Sequence, residues 1–199
     1  MKRILAIVSI LFSLLYLNQS FGQTVKNKLK ITEITTDFYV FTTYKMFGTK
    51  KQDANGMYVV TPKGVILFDS PWDDYPYQLL LDSIEAKHHK KVMIAVATHS
   101  HEDRTSGLDF YKEQGIKTYT TKLTDAISLE NERPRAEFLI EKDTVFTIGE
   151  YQFETFYGGE GHTKDNIVIW FEKQKVLYAG CLVKSMDAKT LEYIGEANL

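Results

Sequence analysis

Two unbroken apolar runs, Val65-Ile66-Leu67-Phe68 and Val92 to Ala97, flank a stretch with helical periodicity. No other feature limits the possible folds so strongly. A short strand that is apolar on both faces must be covered on both, which is the signature of a sheet packed between other layers. Between the two runs, Tyr77, Leu80, Leu81 and Ile84 recur at i, i+3, i+4 and i+7, one face of an amphipathic helix. Strand, helix, strand in that order implies a layered α/β architecture. The remaining elements agree. Phe38–Phe41 and Met57–Val60 read as strands. The segment from Lys45 to Gly56 carries Gly48 and an Asn55–Gly56 turn signal, and reads as a hairpin with a mobile tip. Helices are expected from about Thr105 to Gln114, stopped by Gly115, and from Leu123 to Glu130. Strands are expected at Val145–Ile148, Gln152–Tyr157, Ile167–Phe171 and Val176–Ala179. There is no low-complexity tract and no short internal repeat.

The amino terminus has a different character. Lys2 and Arg3 precede an apolar run from Ile4 to Leu17, followed by Asn18, Gln19, Ser20, Phe21 and Gly22. A charged start, a short apolar core and a small-residue site describe a secretory signal peptide over residues 1–22, cleaved near Gly22–Gln23. The run is too short to span a bilayer comfortably, so no membrane anchor is expected after cleavage. Residues 23–199 form the expected mature domain, exported to the periplasm. With 24 basic and 26 acidic residues the chain lacks the basic excess of a nucleic-acid binder. A single cysteine, Cys181, rules out an intrachain disulfide, in a compartment where disulfides ordinarily form.

The chemistry-bearing residues concentrate in four places. Thr98-His99-Ser100-His101-Glu102-Asp103-Arg104 follows directly on a buried strand. Two imidazoles at i and i+2 on an extended turn can face the same side, and Asp103 adds a carboxylate. A strand's carboxyl end is where α/β folds bind ligands. Gly158-Gly159-Glu160-Gly161-His162-Thr163 presents a third imidazole on a glycine-rich turn. Three neutral histidines leave a fourth tetrahedral position open, the arrangement of a catalytic zinc site. Cys181 follows the strand at Val176–Ala179, and a thiolate is a strong zinc ligand. Lys184 could fix an anionic substrate group. Arg104 stays protonated and has no free lone pair, so it cannot ligate a metal. His88 and His89, beside Lys87, Lys90 and Lys91, read as a solvated helix end.

His99-x-His101-x-Asp103-Arg104, Gly161-His162-Thr163 and Cys181-x-x-Lys184 together resemble the class B metallo-β-lactamases, in the subclass with a three-His site and an Asp-Cys-His site. The resemblance extends over Leu67-Phe68-Asp69-Ser70-Pro71-Trp72 and Asp165-Asn166-Ile167-Val168. It implies an αβ/βα sandwich with a dizinc site at one edge of two sheets. Carried over, His99, His101 and His162 hold one zinc ion, Asp103 and Cys181 the other, and Lys184 the substrate carboxylate. Met46, Phe47 and Gly48 resemble a mobile flap. The implied reaction is hydrolysis of a β-lactam ring by a zinc-activated water oriented by Asp103, in a monomeric enzyme with one or two zinc ions.

The sequence departs from that pattern at three points. Ser106-Gly107 stands where a glycine pair is usual, and Tyr193 stands where an Asn is frequent. No His follows His162, whereas the family supplies one to the second site, so the chain is expected to be partial, without the last strand and helix. A serine route is excluded: no Ser has Lys three residues later, and Gly-x-Ser-x-Gly is absent. The rival readings are another hydrolase of the same fold, acting on thioesters or lactones, and a non-catalytic metal-binding fragment.

Overall fold

The apolar run at Val65–Phe68 lies in the middle of a seven-stranded sheet. In the computed structural model, which describes residues 29–72, 76–141, 143–184, 186, 188, 190 and 194–198, this sheet is ordered as the chain runs. Its strands are β1 (Lys30–Thr35), β2 (Phe38–Phe47), β3 (Lys50–Thr61), β4 (Gly64–Phe68), β5 (Val92–Val96), β6 (Lys117–Thr121) and β7 (Phe138–Ile140). The first four pair antiparallel and β4 to β7 pair parallel. Parallel neighbours need crossovers, and helices supply them: α1 (Tyr77–His88), the pair α2 (Glu102–Thr105) and α3 (Leu108–Glu113), and α4 (Lys122–Glu130). A second, four-stranded antiparallel sheet contains β8 (Thr144–Ile148), β9 (Tyr151–Phe156), β10 (Val168–Phe171) and β11 (Val176–Tyr178). The expected leader at residues 1–22 and the departure at Tyr193 lie outside the described residues.

Two apolar layers hold the sheets and helices together. Between the sheets, Phe38, Met57, Ile66, Phe68 and Val96 meet Phe153, Ile169, Phe171 and Tyr178. The Phe68 ring makes edge contacts with Phe153 at 5.2 Å and Phe171 at 5.9 Å between centroids. On the other face of the large sheet, Tyr58, Val65, Leu67 and Ala95 pack against Leu80 and Ile84 of α1 and Tyr111 of α3. Each of β4 and β5 thus has both faces covered, as their unbroken apolar sequences require.

Several local expectations are corrected. The hairpin turn falls at Gly48–Thr49, not at Asn55–Gly56, which lie inside β3 opposite Thr42 and Phe41. The Asn side chain accepts a hydrogen bond from Thr42 at 2.7 Å. Gly56 is there for space: a Cβ would lie 2.0 Å from the Phe41 ring. The helix read from Thr105 to Gln114 is two helices, and it begins earlier, at Glu102. Ser106-Gly107 separates them, with the Gly107 amide donating to Ser70 Oγ at 3.2 Å. His88 is not a solvated helix end. Its ring packs on Tyr39 at 4.6 Å between centroids and its Nε2 lies 3.0 Å from the Tyr58 hydroxyl. His89 is the exposed left-handed cap of α1, at φ 53°.

Candidate metal centre

The functional side chains come together because each follows the carboxyl end of a strand. Asp69 follows β4, Thr98 to His101 follow β5, His162 lies in the loop from β9 to β10, and Cys181 lies in a 3-10 turn, Gly180–Leu182, after β11. Backbone hydrogen bonds hold these loops in register. Ile167 N donates to Thr98 O at 3.0 Å, joining the His162 loop to the His99 loop across the two sheets. Within the His162 loop, Thr163 N donates to Asn166 Oδ1 at 2.8 Å and Asn166 Nδ2 to Gly159 O at 3.2 Å. Arg133 Nη1 donates to Ser100 O at 2.6 Å.

Three imidazoles converge. The ring centroids of His99, His101 and His162 are 4.9, 5.1 and 5.0 Å apart, and the rings are nearly perpendicular to one another. His162 Nε2 lies 3.2 Å from His101 Nδ1. His99 is fully buried and its Nε2 has no hydrogen-bond partner among the described residues, while its Nδ1 lies 3.2 Å from Thr98 Oγ1. Burying an unpartnered ring nitrogen among two other imidazoles is costly unless something fills the space between them. Burial holds His99 well below the ordinary imidazole pKa, with Arg104 and the other two rings adding to the effect. Burial, His101 and Lys184 bring His162 down to about 4. Both are therefore neutral at pH 7, the form in which imidazole binds metals.

Two further potential ligands adjoin the trio. Donor atoms of His99, His101 and Asp103 lie within 4.8 Å of one another, as do those of His99, His162 and Cys181. Cys181 Sγ is 3.9 Å from Asp103 Oδ2. The side chains match the donor set of a zinc centre: imidazole, carboxylate and thiol, gathered around the buried ring of His99. Burial raises the Cys181 thiol pKa, and the Arg104 guanidinium opposes that shift.

Arg104 is the part of the site whose arrangement sequence reasoning missed. Its guanidinium is buried and lies against three acidic groups. Nη2 is 2.8 Å from both Asp103 Oδ2 and Cys181 Sγ, and Nη1 is 3.2 Å from Asp69 Oδ2. Nη1 also donates to Asn55 O at 2.7 Å. Asp69, at φ 67°, accepts from Thr98 N at 2.7 Å, from Thr98 Oγ1 at 3.0 Å and from the Tyr178 hydroxyl. This network spaces the Asp103 carboxylate and the Cys181 thiol and ties both to the sheet ends. Arg104 was legible as a residue that cannot ligate; apart from the adjacent Asp103 its partners were not, since they come from β3 and from the chain just after β4 and β11.

The imidazoles open into a cleft of about 470 Å³. Phe47 and Trp72 form one wall, and Lys184 also lines the cleft. Glu196, which no motif marked, places Oε2 3.4 Å from His101 Nε2. Its segment is tied to the His162 loop, with Asn198 N donating to Gly161 O at 2.8 Å.

Two stacked sheets flanked by helices, with three histidines, an aspartate and a cysteine gathered at the strand ends, define a zinc-hydrolase architecture. The chain belongs to the metallo-beta-lactamase superfamily, whose sequence profile matches residues 51–194. It is 44% identical over 178 residues to the metallo-beta-lactamase type 2 of Elizabethkingia meningoseptica, covering 89% of this chain and 71% of that protein. It is 43% identical over 166 residues to metallo-beta-lactamase IND-1 of Chryseobacterium indologenes, covering 83% of this chain and 70% of that one. Among solved structures, metallo-beta-lactamase IND-7 superposes with a TM-score of 0.81 at 43% identity, over 85% of this chain and 78% of that one. The Pontibacter korlensis enzyme gives 0.81 at 33% identity, over 86% and 80%.

Proposed function

We infer that this protein is a zinc-dependent hydrolase that opens the β-lactam ring of penicillins, cephalosporins and carbapenems. The observation that carries this reading is the buried Nε2 of His99, without a hydrogen-bond partner among the described residues, in a ring packed against His101 and His162, which line an aromatic-walled cleft. The relatives named metallo-beta-lactamase support it.

In this reading His99, His101 and His162 hold one zinc ion, and Asp103 and Cys181 hold a second. Zinc bound here supplies Lewis acidity and a water acidified to a pKa of about 7. The protein's own groups do the rest. Asp103 accepts a hydrogen bond and orients the attacking water toward the lactam carbonyl. Arg104, pinned by Asp69, keeps the Asp103 carboxylate turned toward the imidazoles. Lys184 draws in the carboxylate of the substrate as a point charge. Phe47 and Trp72 cover the apolar part of the substrate and exclude water from the cleft. The reaction needs no covalent acyl-enzyme. We further propose export to the periplasm, on the strength of Lys2, Arg3 and the apolar Ile4–Leu17 run.

The test is hydrolysis of a chromogenic cephalosporin and a carbapenem by zinc-loaded protein. Turnover should vanish with a chelator and return with zinc. Replacing Cys181, a direct ligand in this reading, with Ser should lower it by more than the roughly 10- to 100-fold that loss of a residue merely supporting a ligand costs. Turnover indifferent to chelation, or zinc binding with activity on a thioester alone, would contradict the reading.

A further inference from the structure

The sequence reading treats the β2–β3 hairpin as a mobile flap, and the structure gives that hairpin an ionic contact to the rest of the domain close to its tip. Lys45, two residues before the end of β2, places Nζ 3.2 Å from Glu102 Oε2, the first residue of α2. The Lys45 side chain is 21% exposed and Glu102 45%. The same ammonium lies 5.7 Å from the centroids of both the Phe47 and the Trp72 rings. Those rings meet edge to face at 5.6 Å and 73°. One cation therefore joins a hairpin strand, the aromatic wall and the helix that begins between His101 and Asp103.

Glu102 gives this arrangement a consequence for specificity. Its carboxylate lines the cleft beside Asp103. Left uncompensated, it would oppose an anionic substrate arriving at the mouth. Lys45 cancels that charge. The same contact holds Phe47 against Trp72, so that the wall is built before the substrate arrives, which lowers the ordering cost of binding. Lys50, Lys184, Arg133, Asp53 and Glu196 also line the cleft, so the pair acts within a mixed field.

We propose that Lys45 and Glu102 form an ionic latch that determines specificity: it fixes the hairpin's aromatic wall over the cleft and masks the Glu102 carboxylate from anionic substrates. The functional part rests on the β-lactam reading above, and the latch itself does not. The experiment is a double-mutant cycle of Lys45→Met, which keeps the aliphatic stem, and Glu102→Gln, which keeps the shape, read in two ways. The first uses a Trp170→Phe background, which leaves Trp72 the only tryptophan, since the chain has two. Acrylamide quenching of Trp72 should rise in each single variant and rise no further in the double.

The second readout is cephalosporin hydrolysis. Lys45→Met should raise KM by about 2- to 5-fold, the size of a partly exposed ion pair, with a smaller change in kcat. The double variant should be no worse than Lys45→Met alone, because the exposed carboxylate is gone. Unchanged Trp72 quenching, or additive KM effects, overturns the latch. Quenching that changes as expected in a protein that hydrolyses no β-lactam leaves the latch standing as a contact, overturns its role in specificity and removes the proposed function.

Discussion

Arg104 shows what one residue does here beyond its own chemistry. It is buried beside Asp69, Asp103 and Cys181. Removing one partner of a buried ionic cluster leaves charge without compensation, which costs about 3–5 kcal/mol. Arg104→Leu should therefore lower stability by about that amount in urea denaturation of the metal-free protein. His88 gives a pH-dependent counterpart. Burial, with Lys87 second, depresses its pKa. The folded protein then binds fewer protons there than the unfolded chain does just below the ordinary imidazole value of about 6.5. Its contribution to stability is full above that value and is lost as pH falls below it. His88→Gln, which does not titrate, should flatten the fall in urea stability from about pH 7 to pH 5 relative to the native chain. The cluster was legible at this scale as a candidate metal site because two imidazoles and a carboxylate in five residues have few uses other than metal. Tyr178, which donates to Asp69 from 109 positions away, was not legible, because only the fold brings the pair together.

At the scale of elements, the apolar, aromatic and β-branched runs located β2 to β5 and β8 to β11, whereas β1, β6 and β7 went unread. The sequence of β6 is Lys117-Thr118-Tyr119-Thr120-Thr121, and three buried threonines do the packing there. Threonine scores as polar, yet its branched Cβ suits a pleated sheet. The hairpin was legible as a hairpin but not in register, because Asn55-Gly56 carries a turn signal while serving as a flat, close-packed stretch of β3. Gly56→Ala tests that assignment. The Phe41 ring would have to move, and overpacking of this kind costs about 1–3 kcal/mol, readable as a lower denaturant midpoint. Were Asn55-Gly56 a free turn, the change would be close to neutral. The α2–α3 break follows similar logic: Ser70 takes the Gly107 amide, and the helical periodicity that spans the break carries no sign of that partner.

Across the whole molecule, the architecture places the site where two sheets end. The inter-sheet core built on Phe68, Phe153 and Phe171 holds the β5 end against the β9–β10 loop, so His99 and His101 meet His162 from 61 or more residues away. Among the described residues, helices cover the outer face of the large sheet, while Val145, Phe156 and Leu177 of the second sheet are more than half exposed. The class of fold was legible from alternating strands and helices, whereas the meeting of the two sheets came from the family resemblance. A centre that ties both sheets together should also stabilise them. Zinc at a thousandfold excess over its dissociation constant should add about 4 kcal/mol, seen in calorimetry as a higher Tm that a chelator reverses.

The most direct test is an anomalous diffraction map at the zinc absorption edge from crystals of the zinc-loaded protein. The account predicts a peak in bonding contact with His99, His101 and His162 together. Strong zinc peaks only elsewhere on the molecule, with those three rings left unliganded, would contradict it.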